Sequence, residues 1–299
     1  ARYGFRTAGV VEIQTKRGAF ENGGESDIYG GSYDTIHPSF EYGGASGKLN
    51  YFVDGSYNHN DLGIENPTAS HDAIHDTTDQ GKAFTYLSYV LDDTSRLNFI
   101  GSASYSAYEI PNTPDLPSGT NPDTGTPWSD QMGGITFDSS DLNENQTEQN
   151  YYGVVSYQKT AGDLNFQVAG GRRNSDVHFR PGEIGDLYFN GVASDVNRRL
   201  FSGGVQADAS YKLNDQHTIR FGVMALEEYV SADSTTTVFA PADSSTLESI
   251  MDNHALHGLF AGASVQNECK ILTQVTINYG ARFDEFYSSF DKENQPSPR

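Results

Sequence analysis

Val205-Gln206-Ala207-Asp208-Ala209-Ser210-Tyr211-Lys212-Leu213 is the stretch that decides the fold. Its odd positions are apolar and its even positions polar, and strict period-two alternation puts the two sets on opposite faces of a β-strand. The pattern recurs. Val275, Ile277, Tyr279, Ala281 and Phe283 alternate with Thr276, Asn278, Gly280, Arg282 and Asp284. Leu164, Phe166 and Val168 flank Asn165 and Gln167, and Leu97, Phe99, Ala103 and Tyr105 oppose Asn98, Ser102 and Ser104.

A two-sheet sandwich also alternates, but its connections have no reason to sort by length. Here they sort. Tight turns are predicted at 45–48, 92–95, 160–163, 213–216 and 267–270, and long polar loops at 61–79, 110–147, 179–197 and 232–253. Short and long connections take turns along the chain, as in a membrane barrel with brief turns at one rim and extended loops at the other. Counting from Glu25, with a minimal first loop at Tyr33 and Asp34, the sequence predicts about eleven strands, the last from Ile271 to about Tyr287. An odd count cannot close an up-and-down barrel, so a truncated barrel is predicted. Tyr51, Tyr57, Tyr89, Tyr105, Tyr157, Tyr211 and Phe283 are read as ring positions near strand ends, where interfacial girdles place amphipathic aromatics.

Composition agrees. Gly 31, Tyr 18 and Phe 17 against Met 3 and Trp 1 favour short connected strands over helices. A formal net charge of -21 excludes a nucleic-acid binder, because phosphate contacts need an excess of Lys and Arg. There is no apolar run of about 18 residues, which excludes a transmembrane helix and is silent about barrel strands. Residues 1–18 lack the charged and apolar regions of a secretory signal. The single cysteine, Cys269, rules out an intrachain disulfide and reads as an incidental thiol.

The opening residues differ in kind. Gly9-Val10-Val11-Glu12-Ile13-Gln14-Thr15-Lys16-Arg17-Gly18 holds one short apolar strand between glycine turns and basic residues. It resembles the closing segment of the plug domain of TonB-dependent receptors, with Gly9, Val10, Val11, Ile13, Thr15, Lys16 and Gly18 on the matching positions. Ser26 to Asp34 and Pro38 to Gly44 look like the first barrel hairpin of that family. Tyr279 to Asp284, with Pro296 to Arg299, resembles a mid-barrel strand and the approach to the next. The resemblance implies an all-β, antiparallel transmembrane barrel, eleven strands of about 22 around a plug. Residues 1–22 would be the plug edge and 23–299 the first half of the barrel.

The function this implies is active transport of a scarce nutrient across the Gram-negative outer membrane: a ferric siderophore by family frequency, or cobalamin or an oligosaccharide. The partners implied are the TonB-ExbB-ExbD energy-coupling complex, the nutrient and outer-membrane lipids. The rival class is a passive porin or a surface-adhesion barrel, against which the plug-like segment argues. An outer-membrane enzyme ranks third: no zinc, P-loop or Rossmann spacing appears, and Ser, His and Asp are too scattered to pick a triad.

Arg172 or Arg173, Arg198, Arg220 and Arg282 are read as inward, where they would pair with carboxylates or bind an anionic ligand; pairing is the favoured role. Trp128, Phe137, Tyr188 and Phe189 are candidates for ligand stacking, with packing inside the loops as the alternative. Asp138, Asp141, Asn143, Glu144 and Asn145 offer hard oxygens for Ca²⁺ but lack EF-hand spacing, so solvated loop surface is favoured. His71 and His75 stand four apart without any sign of a helix, and neither a metal nor a cofactor is predicted.

Overall fold

The computed structural model describes residue 16 and residues 22–62, 74–240 and 246–292, with side chains through 289. Eleven strands follow in order: β1 (Gly23–Gly30), β2 (Ile36–Ser46), β3 (Leu49–Asn60), β4 (Thr78–Asp92), β5 (Ser95–Glu109), β6 (Asn145–Ala161), β7 (Leu164–Arg180), β8 (Val192–Lys212), β9 (His217–Phe239), β10 (Leu247–Leu272) and β11 (Val275–Lys292). They form one antiparallel sheet in which every strand pairs only with its neighbours in sequence. Each hairpin therefore closes locally, and the unpaired edges are β1 and β11.

Register fixes the faces. Residues directly opposite on paired strands share a face. The row Phe99, Val155, Gly170, Val205, Ala225, Ala261 and Glu285 thus stands on one side, and Asn98, Ser156, Ala169 and Gln206 on the other. The first side is a belt of solvent-exposed apolar groups: Val205 is 61% exposed, Val223 54% and Phe283 69%. Exposed hydrophobics gathered on one face of a sheet mark a surface meant for an apolar environment.

The second side is polar and internally hydrogen-bonded. Buried Asn98 accepts from the hydroxyls of Ser88 at 2.8 Å and Tyr86 at 3.2 Å, and donates to Ser156 at 3.2 Å. Gln158 donates to Gln167 at 2.6 Å across the next pair. Lys16 reaches this face, with its Nζ 2.6 Å from Glu41 and 5.8 Å from the ring centroid of buried Phe52. The other positions that resemble a plug segment in sequence, Gly9, Val10, Val11, Ile13, Thr15 and Gly18, lie outside the described residues, as does His71.

The first loop turns at Tyr33 and Asp34, both with positive φ (58° and 49°), the conformation that a tight primed hairpin turn needs. Four of the tight turns fall where the sequence puts them. The fifth does not. Asn267 to Lys270 belongs to β10, paired with Tyr279 to Thr276, and the chain reverses after Leu272. The polar run 266–270 mimicked a turn, whereas the real one carries no Gly, Asn or Asp to announce it. β11 accordingly starts at Val275, not Ile271, and Phe283 lies in mid-strand rather than at a strand end.

Two loops are also shorter than the sequence suggests. Residues 232–239 and 247–253 continue β9 and β10 in unbroken register, and β8 begins at Val192. Polarity argued for loop there, but Thr235, Thr236, Thr237 and Val238 are β-branched and favour a pleated strand. At ~3.3 Å per residue β10 spans roughly 86 Å, and a membrane crossing takes only about ten residues. Most of its 26 residues must therefore lie beyond any bilayer.

Candidate functional site

Two features qualify: the polar wall and the cap built by the long loops. Near the tight-turn rim the wall forms a depression of about 670 Å³ lined by Asp92, Arg96, Gln158, Gln167, Asp208, Arg220 and Gln266. Arg220 is tied to Glu268 at 2.7 Å, and Arg282 to Asp284 at 2.7 Å beside the Met224 sulfur. These two arginines pair on the polar face, the favoured reading. Arg198 is exposed on the same face, near the long-loop rim.

Arg172 is a correction. It sits in register with Gly153 and Gly203, on the belt face with Phe166 and Val168, while Arg173 faces the polar side and donates to Asn150 at 3.3 Å. Period-two alternation admits one of two adjacent arginines, and the register selects Arg173. Arg172 instead lays its guanidinium 4.2 Å from the ring centroid of Phe201.

In the cap, residues 110–144 carry the short helix α1 (Trp128–Gln131), and the next long loop carries α2 (Glu183–Asn190). The signal for α2 was in the sequence. Ile184, Leu187 and Tyr188 share a helical face, Glu183 and Asp186 occupy the first turn, and Gly191 closes the helix at φ 71°.

The aromatic candidates pack against one another and against the sheet. Trp128, 9% exposed, stacks on Phe239 with ring centroids 5.1 Å apart and planes 9° apart. Its ring also lies against Gly191, where a side chain would collide with it. Phe137, Tyr188 and Phe189 form a second cluster with centroids 4.9 to 6.1 Å apart. The Gly119 amide donates to the Tyr188 carbonyl at 3.1 Å and joins the two loops.

The acidic run is divided between tasks. The Asp138 carboxylate accepts from the Ser140 amide at 2.8 Å and hydroxyl at 2.7 Å, which holds its carboxyl below the usual range. Asn145 donates to Asn143 at 2.6 Å, and Asp141 is exposed. His75 contacts the Ser140 carbonyl at 2.6 Å. Among the described residues no three His, Cys, Asp or Glu converge on a metal position.

Glu144 behaves differently. Burial first, then the Asp186 carboxylate, push its carboxyl up to about 7. Asp186 is 5% exposed, and its Oδ2 is buried with no fixed donor, so a protonated Glu144 supplies one. An acid whose pKa is raised by folding stabilises the packed state fully below its ordinary value, near 4.5, and that contribution is lost as pH rises through about 7. We expect residues 137–144 and 183–190 to exchange amide hydrogens more slowly at about pH 5 than at about pH 8, after correction for intrinsic rates. Glu144→Gln should remove the difference. A profile unchanged by that substitution would dismiss the shared proton.

Comparison with protein-family models and with curated proteins gives no match. Solved structures do match. The ferripyoverdine receptor of the outer membrane of Pseudomonas aeruginosa aligns over 93% of this chain and 39% of its own, with TM-score 0.63 and 11% identity. The ferric-catecholate import receptor Fiu of E. coli K12 aligns over 93% and 46%, at 0.59 and 11%. The ferric yersiniabactin uptake receptor FyuA of Yersinia pestis aligns over 90% and 43%, at 0.53 and 14%. The chain thus spans less than half the length of each of these receptors. A single antiparallel meander with one exposed apolar face and one polar face, matched over nine tenths of its length, has the fold of the barrel wall of ferric-siderophore uptake receptors.

Proposed function

We propose that the chain is the plug edge (1–22) and first half of the barrel (23–299) of a TonB-dependent receptor in a Gram-negative outer membrane. It takes up a ferric siderophore and is a transporter, not an enzyme. The observation that carries this reading is the belt. Apolar side chains in water have no reason to line one face of eleven consecutive strands, and a bilayer gives them one. The polar face then becomes a lumen wall, and the Lys16 to Glu41 pair is the kind of contact by which a plug is held inside it. The aromatic cap shapes the outer vestibule, and the lumen-facing arginines order that wall.

Energy coupling would come from TonB with ExbB and ExbD, acting on the plug. Uptake of radiolabelled iron as ferric siderophores by cells with and without the gene tests the reading. Uptake should fall on deletion, return with the wild-type gene and collapse when a protonophore dissipates the membrane potential. Uptake that survives the protonophore would replace the receptor by a passive pore.

A further inference from the structure

The belt face is free of charge over most of its height. Between Lys159, beside the tight turn, and Arg172, its positions on β6 and β7 are Tyr157, Val155, Gly153, Phe166, Val168 and Gly170. Arg172 lies nine residues beyond Asp163. At ~3.3 Å per residue and a strand tilt of ~40°, that places it roughly 23 Å above the turn rim, where an apolar band about 25 Å tall ends.

Its surroundings are unusual for an arginine. The residues directly opposite on both neighbouring strands are Gly153 and Gly203, and Gly170 precedes it on the same face, so neither neighbouring strand raises a Cβ beside it, and the shallow trough this leaves is flanked by the Phe99 and Phe201 rings. Phe201 covers Gly203 and stands with its ring centroid 4.2 Å from the guanidinium carbon. Among the described residues no carboxylate lies within ion-pair distance of it. The nearby acids on that face are already engaged, Asp176 with Arg199 at 3.1 Å and Glu227 with His257 at 2.6 Å. Tyr151 and Tyr229 stand in the same row as Phe201, 45% and 43% exposed, as rings at a membrane interface do.

We propose that Arg172, braced by Phe201, binds the phosphate of an anionic membrane lipid whose acyl chains run along the Gly153, Gly170 and Gly203 trough. The inference rests on the membrane-barrel reading. A planar guanidinium presents paired donors that match phosphate oxygens, and at the edge of the hydrocarbon layer water competes weakly for them.

The test uses the native protein in detergent, titrated with phosphatidic acid and followed by native mass spectrometry. Diacylglycerol of the same acyl chains controls for the tails, and inorganic phosphate for the headgroup alone. Wild type should hold phosphatidic acid about tenfold more tightly than Arg172→Gln, with diacylglycerol unaffected by the substitution. Phe201→Leu should weaken binding in the same direction. Equal phosphatidic acid binding by wild type and Arg172→Gln, both folded by their heat-dependent gel mobility, would overturn the lipid site and leave the barrel standing. Binding fully displaced by millimolar inorganic phosphate would overturn it too, in favour of a free-anion site. A wild-type protein with neither lipid binding nor heat-dependent mobility would overturn the barrel itself.

Discussion

Val223→Arg is expected to cost the native state about 2–4 kcal/mol, the penalty for a cation facing lipid near mid-bilayer. Val223 is 54% exposed on the belt face, between Ala207 and Ala263, with no acid in that row to receive the charge. In a water-soluble sheet the same exposed valine would accept arginine within about 0.5 kcal/mol. The control is Gln206→Arg, one register step away on the polar face and beside Asp208. It should be near neutral. Denaturant unfolding in lipid vesicles measures both, and equal small effects would argue that the belt does not meet lipid.

Trp128→Ala should bring the second large loss, about 3–5 kcal/mol, from truncating a buried aromatic. Its position makes the loss local. The indole joins α1 to Phe239 at the top of β9 and to Gly191 at the end of α2, so its removal unpins both loops from the sheet. Hydrogen exchange should rise in residues 118–132 and 183–191 and stay unchanged in the belt strands. If the cap shapes the vestibule, uptake of a ferric siderophore should weaken in the same variant. Protection unchanged across both loops would show that the backbone bonds at Gly119 hold the cap without the ring.

Most of the sheet was legible because its faces meet opposite environments. A strand with an apolar face on one side and a polar face on the other must alternate, and Val205 to Lys212 does so at every position. Tight turns were legible where Gly47 and Gly162 adopt positive φ, and missed after Leu272, where the turn residues carry no such signature. Beyond the belt the contrast between environments fades. Residues 233–237 and 252–253 are polar on both faces, so alternation lost its meaning and strand looked like loop.

The cap was harder to read, since Trp128 meets Phe239 more than a hundred residues away, and no local pattern encodes that contact. Arg172 and Arg173 show the same limit at finer grain. Adjacent residues of one type are equivalent to the eye, and only the pairing of Arg172 with Gly153 and Gly203 assigns the face.

The most direct test of the central claim is collisional accessibility along β8. Single spin labels at positions 203 to 212 in a Cys269→Ser background would be probed with oxygen, which concentrates in lipid, and a water-soluble nickel chelate, which does not. Oxygen accessibility is expected to oscillate with period two, with maxima at Val205, Ala207 and Ala209 and the chelate in antiphase. Belt positions as open to the chelate as Gln206 and Asp208 would contradict it and place both faces of the sheet in water.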